Sequence, residues 1–318
     1  MNPSRSWLLV GLLVVGLLAP AVVYPVFLMK ALCFALFACA FNLLVGYGGL
    51  LSFGHAAFFG SASYIAAHTM KHWGITPEVA LLLGTAGGAA LGLVFGWLAI
   101  RRTGIYFAMV TLALSQIVYF YAMQAPWTGG EDGIQGVPRG HLFGLVDLED
   151  GIRLYYFVFA VFLLGLGVIY RTVHSPFGHV LQGIRENEAR MVSLGYKVQR
   201  YKLLAFVLSA ALAGLAGAAK SLVFQLASLT DLFWGMSGEV VLMTLVGGLG
   251  TVFGPVVGAF VLVTMSLYLA PFGAWMTVIQ GSIFILCVMF LREGIVGEFE
   301  RVRRLWKRPA RLQPVQQS

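Results

Sequence analysis

Runs of roughly twenty apolar residues recur from one end of this chain to the other, each long enough to cross a bilayer as a helix. In lipid, only helices and closed barrels satisfy their own backbone polar groups, so such runs leave few alternatives. A water-soluble fold of 318 residues would need charged groups over its exterior, yet 11% of the residues are charged and 59% hydrophobic. The chain reads as an all-α, polytopic membrane protein forming a single transmembrane domain over residues 1–318.

Polar breaks place the spans near 7–25, 27–46, 55–70, 79–100, 104–124, 154–172, 202–223, 237–249, 254–271 and 274–292, with 55–70 and 237–249 short for a bilayer. Arg5, the run from Trp7 to Ala19 and the small residues at Ala19-Pro20-Ala21 have the features of a signal peptide. The run is read instead as an uncleaved first span, since the later spans can direct insertion themselves. Charge sets the orientation. Segment 171–202 holds six basic residues against Glu186 and Glu188, a net of +4, and is expected to be a cytoplasmic loop. The tail, with seven basic residues against three acidic ones from 292 onward, is also +4. Segment 125–153 has five acidic residues against Arg139 and Arg153, a net of −3, and belongs outside. Two cytoplasmic regions need an even number of crossings between them, so the short stretch around Val240–Gly250 must cross. Ten spans with both termini inside follow.

The overall charge of +8 sits in short loops and the tail, not in a basic patch interleaved with aromatics, which argues against a nucleic-acid partner. Cys33, Cys39 and Cys287 lie inside apolar runs without a C-x-x-C pair and read as small core residues.

The short spans are associated with glycine-rich sequence, GYGGLLSFGHAAFFG at Gly46–Gly60 and LVGGLGTVFGPVVGA at Leu245–Ala259, each taken to precede its span. Unwound backbone at membrane depth is tolerated only against protein or water, and paired interruptions in two halves point to a transport architecture. The two stretches read as an internal repeat. In span 79–100, Gly84, Gly88, Gly92 and Gly96 form a groove for close helix packing. Polar residues within spans are few: Asn42, Ser115, Gln116, Ser209, Glu239 and Gln280. Glu239 is the one acidic candidate for coupling to protons or sodium and lies near an outer end, while Lys220 is expected to snorkel. Energy therefore enters from elsewhere. The candidate pathway is Asn42, Gly48, Gly49, Ser52, His55, Gln116, Gly247 and Gly248.

No catalytic constellation stands out. GLAGAAKS at Gly214–Ser221 fails as a phosphate loop because Ala219 precedes Lys220 within an apolar helix. His68 and His72 lack a third metal ligand nearby, and His174 and His179 flank a loop; no metal or cofactor is expected. In the 171–202 loop, Arg185–Leu194 is expected to be one short helix ending at Gly195, with Ala189, Val192 and Met191 apolar among charges. Such a helix suits docking into a partner's groove.

That loop, with SPFG at Ser175–Gly178, resembles the coupling segment of the branched-chain amino acid ABC importer permeases. RRTGIYFAMVTLALSQ at Arg101–Gln116, TGGEDGIQG at Thr128–Gly136 and both glycine stretches agree, and together they cover most of residues 42–297. The resemblance implies a bacterial inner-membrane subunit paired with a second, related permease. It further implies two ATP-binding cassette subunits beneath, an extracytoplasmic binding protein above, and catalysis on the partners only. The cargo would be branched-chain amino acids or a similar small hydrophobic solute, with urea, short amides and aromatic acids as alternatives. Arg185, Glu186, Glu188, Ala189, Arg190, Leu194 and Gly195 would engage the ATPases, although Gly195 stands one residue later than in the wider importer pattern. A stand-alone carrier or channel is the competing class.

Overall fold

The computed structural model describes residues 13, 16–142, 144, 146–273, 275–290 and 294–298. Among these the chain is helical throughout, in the order α1 Pro25–Asn42, α2 His55–His72, α3 Pro77–Ala99, α4 Ile105–Gln124 and α5 Gly151–Val173. Two short helices follow, α6 Pro176–Glu186 and α7 Glu188–Ser193, and then α8 Val198–Phe224, α9 Trp234–Gly247, α10 Gly254–Leu269 and α11 Trp275–Phe290. Two-residue strand pairs tie the loops at one end: β1 Ile134–Gln135 with β4 Leu226–Ala227, and β2 His141–Leu142 with β3 Val146–Asp147.

The passes alternate between two ends. One end gathers the acidic 125–153 segment, where Lys71 Nζ donates to Gln135 O and Arg139 Nη2 to Val223 O. The other, basic end gathers Arg101, Arg102 and the α6–α7 loop. Six helices are long and apolar enough to cross a membrane, counting Pro25–Tyr47 and Gly254–Phe272 with their terminal turns. The expected spans from 27–46 onward all fall on helices. Span 7–25 lies mostly outside the described residues, as do the tail residues beyond 298.

α1 is the central post, with Met29, Phe37, Ala38 and Phe41 fully buried. α3 lies antiparallel against α8, and its glycine stripe is the seam. A Cβ at Gly84 would stand 2.9 Å from Ala218 Cβ, and one at Gly88 would stand 2.9 Å from Ala210 O. At Gly96 it would meet Leu203 at 2.7 Å, and at Gly92 it would collide with Ala210. Small residues let two backbones approach where no hydrophobic force separates helix from lipid.

α2 and α9 do not cross alone. His55, first in α2, faces Ser209, which is the twelfth of α8's 27 residues, so α2 begins near mid-depth. Ala56 N donates to Ser237 Oγ at 2.9 Å, placing the start of α9 beside the start of α2. Fourteen residues of α9 span only about 21 Å at 1.5 Å per residue, short of a roughly 30 Å hydrocarbon core. The remainder of the pass is segment 225–233, which holds β4 and a single 3-10 turn at Leu229–Asp231. This corrects one expectation: the stretch before α9 is not glycine-rich, and LVGGLGTVFGPVVGA instead forms the turn between α9 and α10.

Lys220 also departs from its expected role. Its side chain does not snorkel; it is 10% exposed and pairs with the 3% exposed Asp231 at 2.6 Å, with Phe224 ring at 5.5 Å. Asp231 in turn accepts from Ser228 N in a capping box. Glu239 is exposed on α9.

Candidate functional site

The candidate pathway residues fall into two clusters. Ser52 and His55 lie at mid-depth around the start of α2. A helix N-terminus leaves its first N–H groups without intrahelical partners, which is costly away from water. Three hydroxyls from three elements answer them. Phe53 N donates to Thr111 Oγ1 at 3.1 Å, Gly54 N to Ser52 Oγ at 3.1 Å, and Ala56 N to Ser237 Oγ. Thr111 and Ser237 were not singled out from the sequence; each reads as an unremarked small polar residue on an apolar helix.

His55 is fully buried among Phe41, Phe58 and Phe206, with ring centroids 4.9, 5.6 and 6.3 Å away. Ser209 Oγ lies 2.9 Å from His55 Nε2, within hydrogen-bond distance, and donates to Ala40 O at 2.6 Å. The imidazole is thereby tied through Ser209 to the α1 backbone. Gln116 is partly buried on α4, next to the buried Ser115; Ser115 Oγ and Gln116 Nε2 have no hydrogen-bond partner among the described residues.

The second cluster is at the basic end and joins both glycine stretches. α1 runs out through a π-helical turn, Leu43–Tyr47. Gly49 N then bonds Val45 O and Leu50 N bonds Leu44 O. Asn42 reaches from α1 into the second stretch, accepting from Gly250 N at 3.0 Å and donating to Thr251 O at 2.8 Å. Gly46 must be glycine, since a Cβ there would collide with Asn42 Oδ1. Gly247 and Gly258 let α9 and α10 lie backbone to backbone, and Gly248 takes φ +121° at the turn.

Arg185 of α6 enters this same junction. Its Nη1 donates to Gly46 O, and its Cγ would stand 2.9 Å from a Cβ at Gly49, where φ is +68°. A polar cavity of about 340 Å3 lies here, lined by Gly46, Tyr47, Gln182, Arg185, Glu186 and Gly250. A residue assigned by resemblance to a partner's surface thus also bonds the α1–α2 turn while remaining exposed.

The loop itself is a small folded unit. Ser175 caps α6, accepting from Gly178 N at 3.4 Å, and Pro176 fills the first helical position. The single helix expected over Arg185–Leu194 is interrupted: Asn187 is extended (φ −155°, ψ 96°) and caps α7 by accepting from Arg190 N at 3.0 Å. α7 ends as expected at Gly195, φ +86°, in a Schellman motif with Tyr196 N on Met191 O and Gly195 N on Val192 O. Met191 turns inward onto Ile184 and Val198 instead of outward, while Val192 and Leu194 are 57% and 65% exposed. Glu188 pairs at 2.8 Å with Lys202, whose side chain is 5% exposed. Glu186, Ala189 and Arg190 remain on the open surface.

Residues 25–291 match the family model described as "Branched-chain amino acid transport system / permease component". The chain belongs to that family. Among curated relatives of this permease family, the high-affinity branched-chain amino acid transport system permease protein LivM of Escherichia coli is 27% identical over 90% of this chain and 74% of its own. The LivM protein of Salmonella typhimurium is 28% identical over 80% of this chain and 65% of its own. A probable branched-chain amino acid transport permease protein, LivH, of Methanocaldococcus jannaschii is 27% identical over 76% and 82%. No solved structure matched. A multi-pass transport permease is therefore the frame in which both clusters are read: one holds a half-helix at mid-depth, and the other ties a surface loop to two turns.

Proposed function

We propose that this permease is a single transmembrane domain and the membrane-spanning subunit of an ATP-driven importer. Its cargo is a branched-chain amino acid or a similar small hydrophobic solute, delivered by an extracytoplasmic binding protein. It pairs with a second, related permease, and two ATP-binding cassette subunits dock beneath α6–α7. In the bacterial inner membrane the basic end and both termini are cytoplasmic, and the acidic 125–153 segment faces the binding protein. ATP hydrolysis takes place on the partner subunits.

One observation carries this reading: α6–α7 presents Val192 and Leu194 beside Glu186 and Arg190 on its outer side and Arg185 to the helix turns on its inner side. Exposed apolar side chains rimmed by charge suit a groove on a soluble partner. The pathway runs past the mid-depth starts of α2 and α9, with Ser52 and His55, and takes in Gln116 of α4.

Gentle purification of the tagged chain from its native membranes tests this. Recovery of an ATPase and a second permease is expected, and leucine, isoleucine or valine should be taken up in liposomes only with ATP and the binding protein. Recovery of the chain alone, still transporting without ATP, would mean a stand-alone carrier.

A further inference from the structure

We infer that Arg185 is the positioning residue that carries movement of α6–α7 into the membrane, by holding the two glycine turns together as one body. This rests on the importer reading above and adds the route by which work crosses from loop to helices.

The last carbonyls of a helix lack intrahelical partners and carry its negative dipole end. At the end of α1, the carbonyls of Leu44 and Val45 are taken by Leu50 N and Gly49 N, and that of Gly46 receives the Arg185 guanidinium. Arg185 is therefore the C-terminal cap of α1, supplied by another element. It also borders the other turn: Arg185 and Gly250 line the same cavity, and a Cβ at Gly250 would stand 3.6 Å from Arg185 Nη1 and 3.4 Å from Gly46 O. Asn42 completes the bridge with its two bonds to Gly250 and Thr251. One guanidinium thus bonds the α1–α2 turn and lies beside the α9–α10 turn, which Asn42 links to it.

Arg185 stands two residues before Asn187, where the chain passes to α7 and its exposed Val192 and Leu194. A push delivered on α7 reaches the turns through this contact. The competing route is Glu188 to Lys202, which leads into α8 alone.

The experiment uses the complete transporter in liposomes with its binding protein, and reads solute taken up per ATP hydrolysed. Arg185→Gln is expected to lower that yield about tenfold, in line with loss of one hydrogen bond to a charged group. Arg185→Lys, which keeps charge and a donor but not the fork, should restore part of it. Gly49→Ala should reproduce the defect from the other side, because its Cβ displaces Arg185 without removing it. Wild-type yield in Arg185→Gln, with a low yield in Glu188→Gln, would overturn the inference in favour of the α8 route. Loss of the assembled complex in both Arg185→Gln and Gly49→Ala would reduce Arg185 to a scaffold residue and overturn it as well. A wild-type preparation that transports without any ATPase would instead bring down the importer reading, and this route with it.

Discussion

At the scale of single residues, the buried polar groups do more than their number in the sequence implied. Asn42, Ser52 and His55 could be picked out because a polar side chain in an apolar run demands an explanation. Thr111 and Ser237 could not, because a hydroxyl in a helix ordinarily bonds its own preceding turn and leaves no trace in the pattern. Their partners are backbone N–H groups from a distant stretch, and only the fold supplies those. Replacing Ser237 with alanine leaves Ala56 N–H without its acceptor at mid-depth. A loss of about 1–3 kcal/mol is expected, seen as a lower thermal midpoint in detergent, while the isosteric Ser237→Cys recovers little. Glu188, read as reaching a partner, also holds Lys202. Glu188→Lys should therefore lower the thermal midpoint where Glu186→Lys does not, and the swap Glu188→Lys with Lys202→Glu should recover it. Equal destabilisation by the two single reversals would remove the internal role of Glu188.

At the scale of elements, apolar length and charge located the long helices well, and the four-residue glycine spacing located the α3–α8 seam. Gly92→Leu is expected to cost about 1–3 kcal/mol through overpacking against Ala210. Gly167→Leu, where a Cβ meets nothing within 4 Å, should leave the thermal midpoint near wild type. If both variants melt alike, the seam is not what the stripe is for. The α6–α7 loop was less legible. One helix was expected where two occur, because the charge pattern of Arg185–Leu194 masked Asn187, a residue type that caps helices. That interruption decides the geometry: it lets Arg185 reach the α1–α2 turn while Val192 and Leu194, seven and nine residues later, point out. The half-length of α2 and α9 was legible as short span length, but not the place where their starts meet, which is a matter of packing and not of pattern.

Taken as a whole molecule, the chain alternates between two ends of opposite charge, and the even number of passes from α8 to α11 agrees with the parity expected from loop charges. Gly294, lying against Gly248, brings the chain after α11 back to the basic end. The orientation of those ends is open to a direct check. Single cysteines placed at Glu131 and Val192, in a background without Cys33, Cys39 and Cys287, should react with an impermeant thiol reagent from opposite sides. Glu131→Cys is expected to label in intact cells and Val192→Cys only after the cytoplasmic face is opened; the reverse pattern would invert the proposed topology.

The pairing of Lys220 with Asp231 bears on how such a chain is made. α9 is only 14 residues long, carries Glu239, and is preceded by a stretch without α-helix, so it has little tendency to leave the translocation channel for lipid unaided. α10 is apolar and can enter on its own, which makes the α9–α10 hairpin the natural unit of insertion. Until that hairpin arrives, Lys220 has no counter-ion in the bilayer and must sit at the headgroups or in water. The closing of the 225–233 segment over α8 is then a late event in biogenesis, and the ion pair records that this segment has folded back onto the helix it leaves.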